Sequence, residues 1–169
     1  MKERSTVQYG FVALSILSFV ILLDLRAHAQ TQARPLIVNF SYAQDKIRKG
    51  DTWKVYLSVA DPAADMKEVV FAIDEPGGTR YNPSFMFLKK GMEKEFSGYF
   101  ALHTATPRNL YGVEIILTLS ILDSKGNIRG TFTFPLGFNG KPSKPLPAEM
   151  EKRLNQRIGV IGIDLDVPD

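Results

Sequence analysis

An all-β fold, an antiparallel sandwich of about seven strands with a short C-terminal helix and an apolar tail, is what this sequence predicts, and three observations predict it. From Pro35 to Leu136 the apolar residues recur mostly at every second position, the period of a strand with one buried face. The alternating stretches are short, and clusters of Gly, Pro, Asp and Asn separate them. Between the same two residues no stretch has the spacing of an amphipathic helix. A strand wet on one face and apolar on the other belongs to an antiparallel sheet, so two such sheets must face each other.

Leu36 to Tyr42 reads as the first strand, followed by the polar turn Arg48-Lys49-Gly50-Asp51. Thr52 to Ala60 comes next, with Trp53, Val55, Leu57 and Val59 on one face and Lys54, Tyr56 and Ser58 on the other. Asp61-Pro62-Ala63-Ala64-Asp65 breaks the ladder, and Lys67 to Asp74 resumes it with Val69, Phe71 and Ile73 on one face. Glu75-Pro76-Gly77-Gly78 is a strong turn signal. Phe85 to Lys89 reads as a short strand, Lys90-Gly91 as a turn, and Glu93 to Leu102 as a longer strand with Phe96, Gly98, Phe100 and Leu102 in register. Tyr111 to Leu122 is the clearest strand, apolar on one side and partly apolar on the other, which suggests a central position. Asp123-Ser124-Lys125-Gly126-Asn127 makes a short loop, and Ile128 to Leu136 returns antiparallel.

Residues 138–147, with Pro142, Pro145, Pro147, Gly140, Lys141 and Lys144, have linker composition. The sandwich is therefore expected over 30–137, and a helix and tail over 148–169. Pro147 can open a helix to Ile158 with Met150, Leu154 and Ile158 along one stripe and Gly159 as its cap. Val160, Ile161, Ile163 and Leu165 then form an apolar run. An apolar run needs cover, so these seven residues either fold back over an edge of the sandwich or bind a protein partner.

At the amino end, Lys2 and Arg4 precede an apolar stretch from Gly10 to Leu23, and Ala27-His28-Ala29 closes it. That is the order of a secretory signal, expected over 1–29 with cleavage after Ala29. The stretch is too short to span the ~30 Å hydrocarbon core, so no membrane span is expected after cleavage. The product is expected in the periplasm or outside the cell. The whole chain carries 21 Lys and Arg against 18 Asp and Glu, a net charge of +3 without a basic stripe, so nucleic acid is not an expected partner. The absence of cysteine excludes disulfides, thiol nucleophiles and thiolate metal sites.

Three turns carry a resemblance: Lys49-Gly50-Asp51 before the second strand, Asp61-Pro62 after it, and Asp123-x-x-Gly126-Asn127 between the last two. On these, roughly residues 35–137 resemble bacterial immunoglobulin-like and fibronectin type III-like domains. Trp53 stands on the second strand, whereas antibody-type domains carry the tryptophan on the third, and the inter-sheet cysteines are missing. The resemblance implies a tyrosine corner at Tyr111, with its phenol bonded to an upstream backbone group.

Reactive chemistry is sparse. Without the leader, His103 is the one histidine, and no Gly-x-Ser-x-Gly elbow accompanies it, so a hydrolase with His103 as base lacks a nameable nucleophile. No cofactor is expected. Asp61 and Asp65 fall in one loop and could offer oxygens to calcium, although loop aspartates commonly cap turns. Tyr56, Tyr81 and Tyr99 are candidates for stacking on a glycan, Tyr56 and Tyr99 because they alternate with core residues and so face outward. The sequence thus predicts a non-catalytic exported binding or structural module of the cell envelope, acting through contacts with an envelope or secreted protein; the alternative is a glycan-binding domain using the outward tyrosines, with or without a loop calcium ion.

Overall fold

The computed structural model describes residues 35–105, 109–138, 140–141 and 145–165; the predicted leader and part of the predicted linker lie outside these. Its strands are β1 (Ile37–Ala43), β2 (Thr52–Ala60), β3 (Met66–Glu75), β4 (Thr79–Arg80), β5 (Ser84–Phe87), β6 (Glu95–Ala105), β7 (Glu114–Asp123), β8 (Ile128–Gly137) and β9 (Arg157–Asp164), with one helix, α1 (Ala148–Arg153). They form two sheets. Sheet I has the order β1-β2-β6-β9, and sheet II the order β4-β3-β7-β8, with β5 on the same edge of β3 as β4. The all-β sandwich predicted from alternation is the fold observed.

The alternation decides which side chains meet between the sheets. Trp53, Val55, Leu57 and Val59 of β2 and Phe96, Phe100 and Leu102 of β6 face inward from sheet I. Val69, Phe71 and Ile73 of β3 and Ile115, Leu117, Leu119 and Ile121 of β7 face them from sheet II. Phe71 and Phe100 meet edge to face across the layers, with ring centroids 5.3 Å apart. Burying each such side chain contributes about 1.5–3 kcal/mol, and with no cysteine in the chain this packing carries the fold. The Trp53 indole N–H is satisfied by the Gln44 carbonyl at 2.8 Å, so the largest core residue buries no unpaired donor.

Nine strands among the described residues exceed the predicted seven. One of the two additions, β4, is a two-residue hairpin return after the Glu75-Pro76-Gly77-Gly78 turn, in which Gly77 and Gly78 both adopt positive φ. The other, β9, corrects the predicted tail. The helix expected from Pro147 to Ile158 ends at Arg153, and Leu154 is its C-cap. Gly159 caps nothing: it lies in β9, which runs parallel to β6. The four-residue spacing of Met150, Leu154 and Ile158 imitated a helical stripe, whereas the edge of β6 offers a row of backbone groups with which an extended segment can pair. Phe138, assigned to the linker by composition, is buried in the core.

Two glycines make room for that last strand. A Cβ at Gly98 would collide with the backbone carbonyl of Gln156, and one at Gly159 would collide with the sulfur of Met86 on β5. The Gln156 carbonyl thereby reaches the Tyr99 N–H at 2.9 Å. On the opposite side, residues 45–47 leave β1 and pair with Gly137 at the end of β8. The core is thus closed along both sides.

Tyr111 does not form the tyrosine corner that the resemblance implies. It lies in a turn before β7, 83% exposed, and its backbone N–H donates to the Asn109 side chain. Leu110, next to it, takes the buried place instead.

Candidate functional site

At the end of the sandwich where β2 passes into β3, the loop carboxylates are occupied. Asp61 is buried, and its oxygens accept the N–H groups of Ala63 at 3.1 Å and Asp65 at 3.2 Å, which shapes the tight loop in which Ala64 has positive φ. Arg129 Nη2 from β8 donates to Asp61 Oδ1 at 2.9 Å, and Arg129 Nε stands 3.9 Å from Asp65 Oδ1. Burial alone would raise the Asp61 pKa, yet the two N–H groups and the guanidinium hold it below its ordinary value. Asp65 moves upward, pushed by burial and by the neighbouring Asp61. The cation that these two residues, read from sequence as calcium ligands, face is Arg129. Among the described residues no cluster of three or more His, Asp and Glu side chains is arranged to hold a metal.

The apolar tail packs on its own domain. Ile158, Ile161, Ile163 and Leu165 are buried in the core, Leu154 is buried outside it, and Met150 is half-buried. A register shift opposite Tyr99 and Phe100 lets both Ile158 and Ile161 turn inward despite their odd separation. Val160 alone among the seven partner-binding candidates is exposed.

On the outer face of sheet I the tyrosines form a cluster. Tyr56 packs between Tyr42 and Tyr99, with centroids 6.1 and 5.6 Å away, and Lys54 Nζ stands 5.0 Å over the Tyr99 ring. Tyr56 does face outward, as its alternation predicts, but it is only 4% exposed, while Tyr99 is half-buried. Tyr81 departs from the prediction: it is buried in the core and its phenol donates to Glu75 Oε2 at 2.7 Å. The Tyr56 ring lines a cleft of about 500 Å³ between the outer face of sheet I and the segments 140–141 and 145–151. Lys46, Arg48, Lys54 and Lys141 also line it, with Asp51 and Glu151 as the acids. Burial, reinforced by Glu151 and the neighbouring phenols, pushes the Tyr56 pKa up to about 12, so the phenol stays a donor.

The outer face of sheet II is different. Phe85 and Phe87 on β5 are 60% and 66% exposed. Register places Phe85 beside Val70, and Phe87 in a row with Glu68, Leu122 and Ile128. Ile128 is also exposed. The sequence did show Phe85 and Phe87 alternating on a short strand, but which face they take depends on the pairing of β5 with β3. The cleft residues Tyr42, Lys46 and Arg48 left no pattern in sequence, because the folded tail brings its own residues over them.

His103 is exposed at the end of β6, and its Nδ1 is 3.0 Å from the Thr52 hydroxyl. Among the described residues no nucleophile–base–acid series is built around it. No protein-family model matches the chain, and no curated protein is significantly similar to it.

Proposed function

We propose that this chain is an exported, non-catalytic β-sandwich module that binds a protein partner of the cell envelope through the outer face of sheet II. The observation that carries the reading is the exposed pair Phe85 and Phe87, adjoining Val70, Leu122 and Ile128. Large aromatics gathered at an uncovered edge are the usual anchors of a protein interface. The order of the strands supports the immunoglobulin-like part of the reading. β1-β2-β6 against β3-β7-β8 corresponds to strands A-B-E against C-F-G, and β9 stands beside β6 where the fourth strand of that sheet would stand, but parallel. Export rests on the charged, apolar and small-residue order of residues 1–29. Among the described residues no helix is long and apolar enough to cross a membrane.

The test is a photo-crosslinking residue placed at position 85 in cells that export the chain. A discrete protein adduct, lost when Phe87→Ser is added, is the expected result; no adduct at position 85 would refute this surface. Mass spectrometry of the exported protein should find Gln30 at its amino end.

A second reading, glycan binding, is favoured by one observation, the tyrosine-floored cleft on sheet I. Its volume lies in the range of small-ligand sites.

A further inference from the structure

We propose that the cleft over the outer face of sheet I binds a saccharide bearing an anionic group, with the Tyr56 phenol and the Lys54 and Arg48 cations as its recognition elements. This rests on the glycan reading and names the chemistry of its ligand. Three observations carry it. Tyr56 is only 4% exposed, yet its hydroxyl has no hydrogen-bond partner among the described residues and the side chain lines the cleft. The ring is buried while the hydroxyl oxygen opens to the cleft, where water or a ligand acceptor can take its hydrogen bond. Next, none of Lys46, Arg48 and Lys54 is in an ion pair among the described residues, although all three line the cleft. Cations outnumber acids there, which favours an anionic guest. Finally, Glu151 also lines the cleft, and a carboxylate suits the hydroxyl donors of a sugar but repels a bare anion. Tyr42 completes an aromatic wall at the same side.

Isothermal titration of the exported chain with tri-galacturonate, with neutral galactotriose and with inorganic phosphate tests the proposal. Tri-galacturonate should bind, and galactotriose should bind about a hundredfold more weakly, the value of one charge-assisted hydrogen bond from each of Arg48 and Lys54. Lys54→Met and Arg48→Met should each weaken the acidic probe about tenfold and narrow its preference over galactotriose. Tyr56→Phe, which keeps the ring, should weaken both sugars. Equal binding of the two sugars, both sensitive to Tyr56→Phe, would overturn the anionic requirement and leave the glycan reading standing. Binding of neither sugar, or of phosphate alone, would overturn both.

Discussion

The outer face of sheet I carries Tyr56 at 4% exposed beneath the returning tail, whereas the outer face of sheet II leaves Phe85 and Phe87 at 60% and 66%. Both faces belong to strands with the same inward alternation, so the difference does not come from the period of the sequence. It comes from where the chain goes after β8. It crosses to sheet I, forms α1 and pairs β9 with β6, so among the described residues one face gains a polar, aromatic cleft and the other keeps Phe85, Phe87 and Ile128 exposed. A covered face with unpaired cations suits a small polar ligand; a bare face with protruding aromatics suits a macromolecular partner.

The largest expected effect falls on both layers together. Asp61→Ala leaves the Arg129 guanidinium buried without its closest carboxylate, and should cost about 3–5 kcal/mol by urea denaturation. The comparison sharpens with Gly98→Ala, which drives a methyl into the Gln156 carbonyl and should cost about 1–3 kcal/mol. Its signature is location: limited proteolysis should attack residues 148–165 first, while amide exchange in β3, β7 and β8 keeps its protection. Equal loss in both sheets would mean that the tail is not a separable cover. Gly159→Ala meets only the flexible Met86 side chain, so a cost near the lower end of that range, about 1 kcal/mol, is expected in the same assay.

Acid distinguishes the two loop carboxylates. Asp61, held below its ordinary value, adds stability that is present above pH 3.8 and lost as the pH falls through its folded pKa. Asp65, raised above 3.8, works in reverse: its protonated form is favoured by folding, so its contribution declines as the pH rises from 3.8 through its folded pKa. Asp65→Asn removes the opposing group. Urea midpoints of that variant should fall steadily on acidification below about pH 5, where the parent chain's should first hold or rise. The smallest effect on stability is expected from Phe85→Ser with Phe87→Ser, within about 0.5 kcal/mol, because both rings are already exposed. With the photo-crosslinking residue at position 85, Phe87→Ser alone should instead abolish the crosslinked adduct.

Much of the sandwich was legible because alternation is local. The inward apolar residues of β2, β3 and β6 were named from spacing alone, and the second strand's limits coincide with β2. The loop chemistry was half legible: two aspartates in one turn were visible, but their cation, Arg129, is 68 residues away from Asp61 along the chain. The tail was misread because Ile158 lies four residues after Leu154, a helical interval, while the alternation of Ile161, Ile163 and Leu165 that marks a strand starts only after the register shift. Tyr81 was misplaced since a lone tyrosine beside a turn carries no period to give its face.

Local pattern therefore carries the strand period, the turns and the composition of the core, each set by interactions within a few residues. Folding of the whole chain is what sets the last strand parallel beside β6, brings Arg129 to both Asp61 and Asp65, and places the tail over one outer face. Those choices depend on backbone edges and buried charges finding partners far along the chain, and no local pattern encodes such a partner.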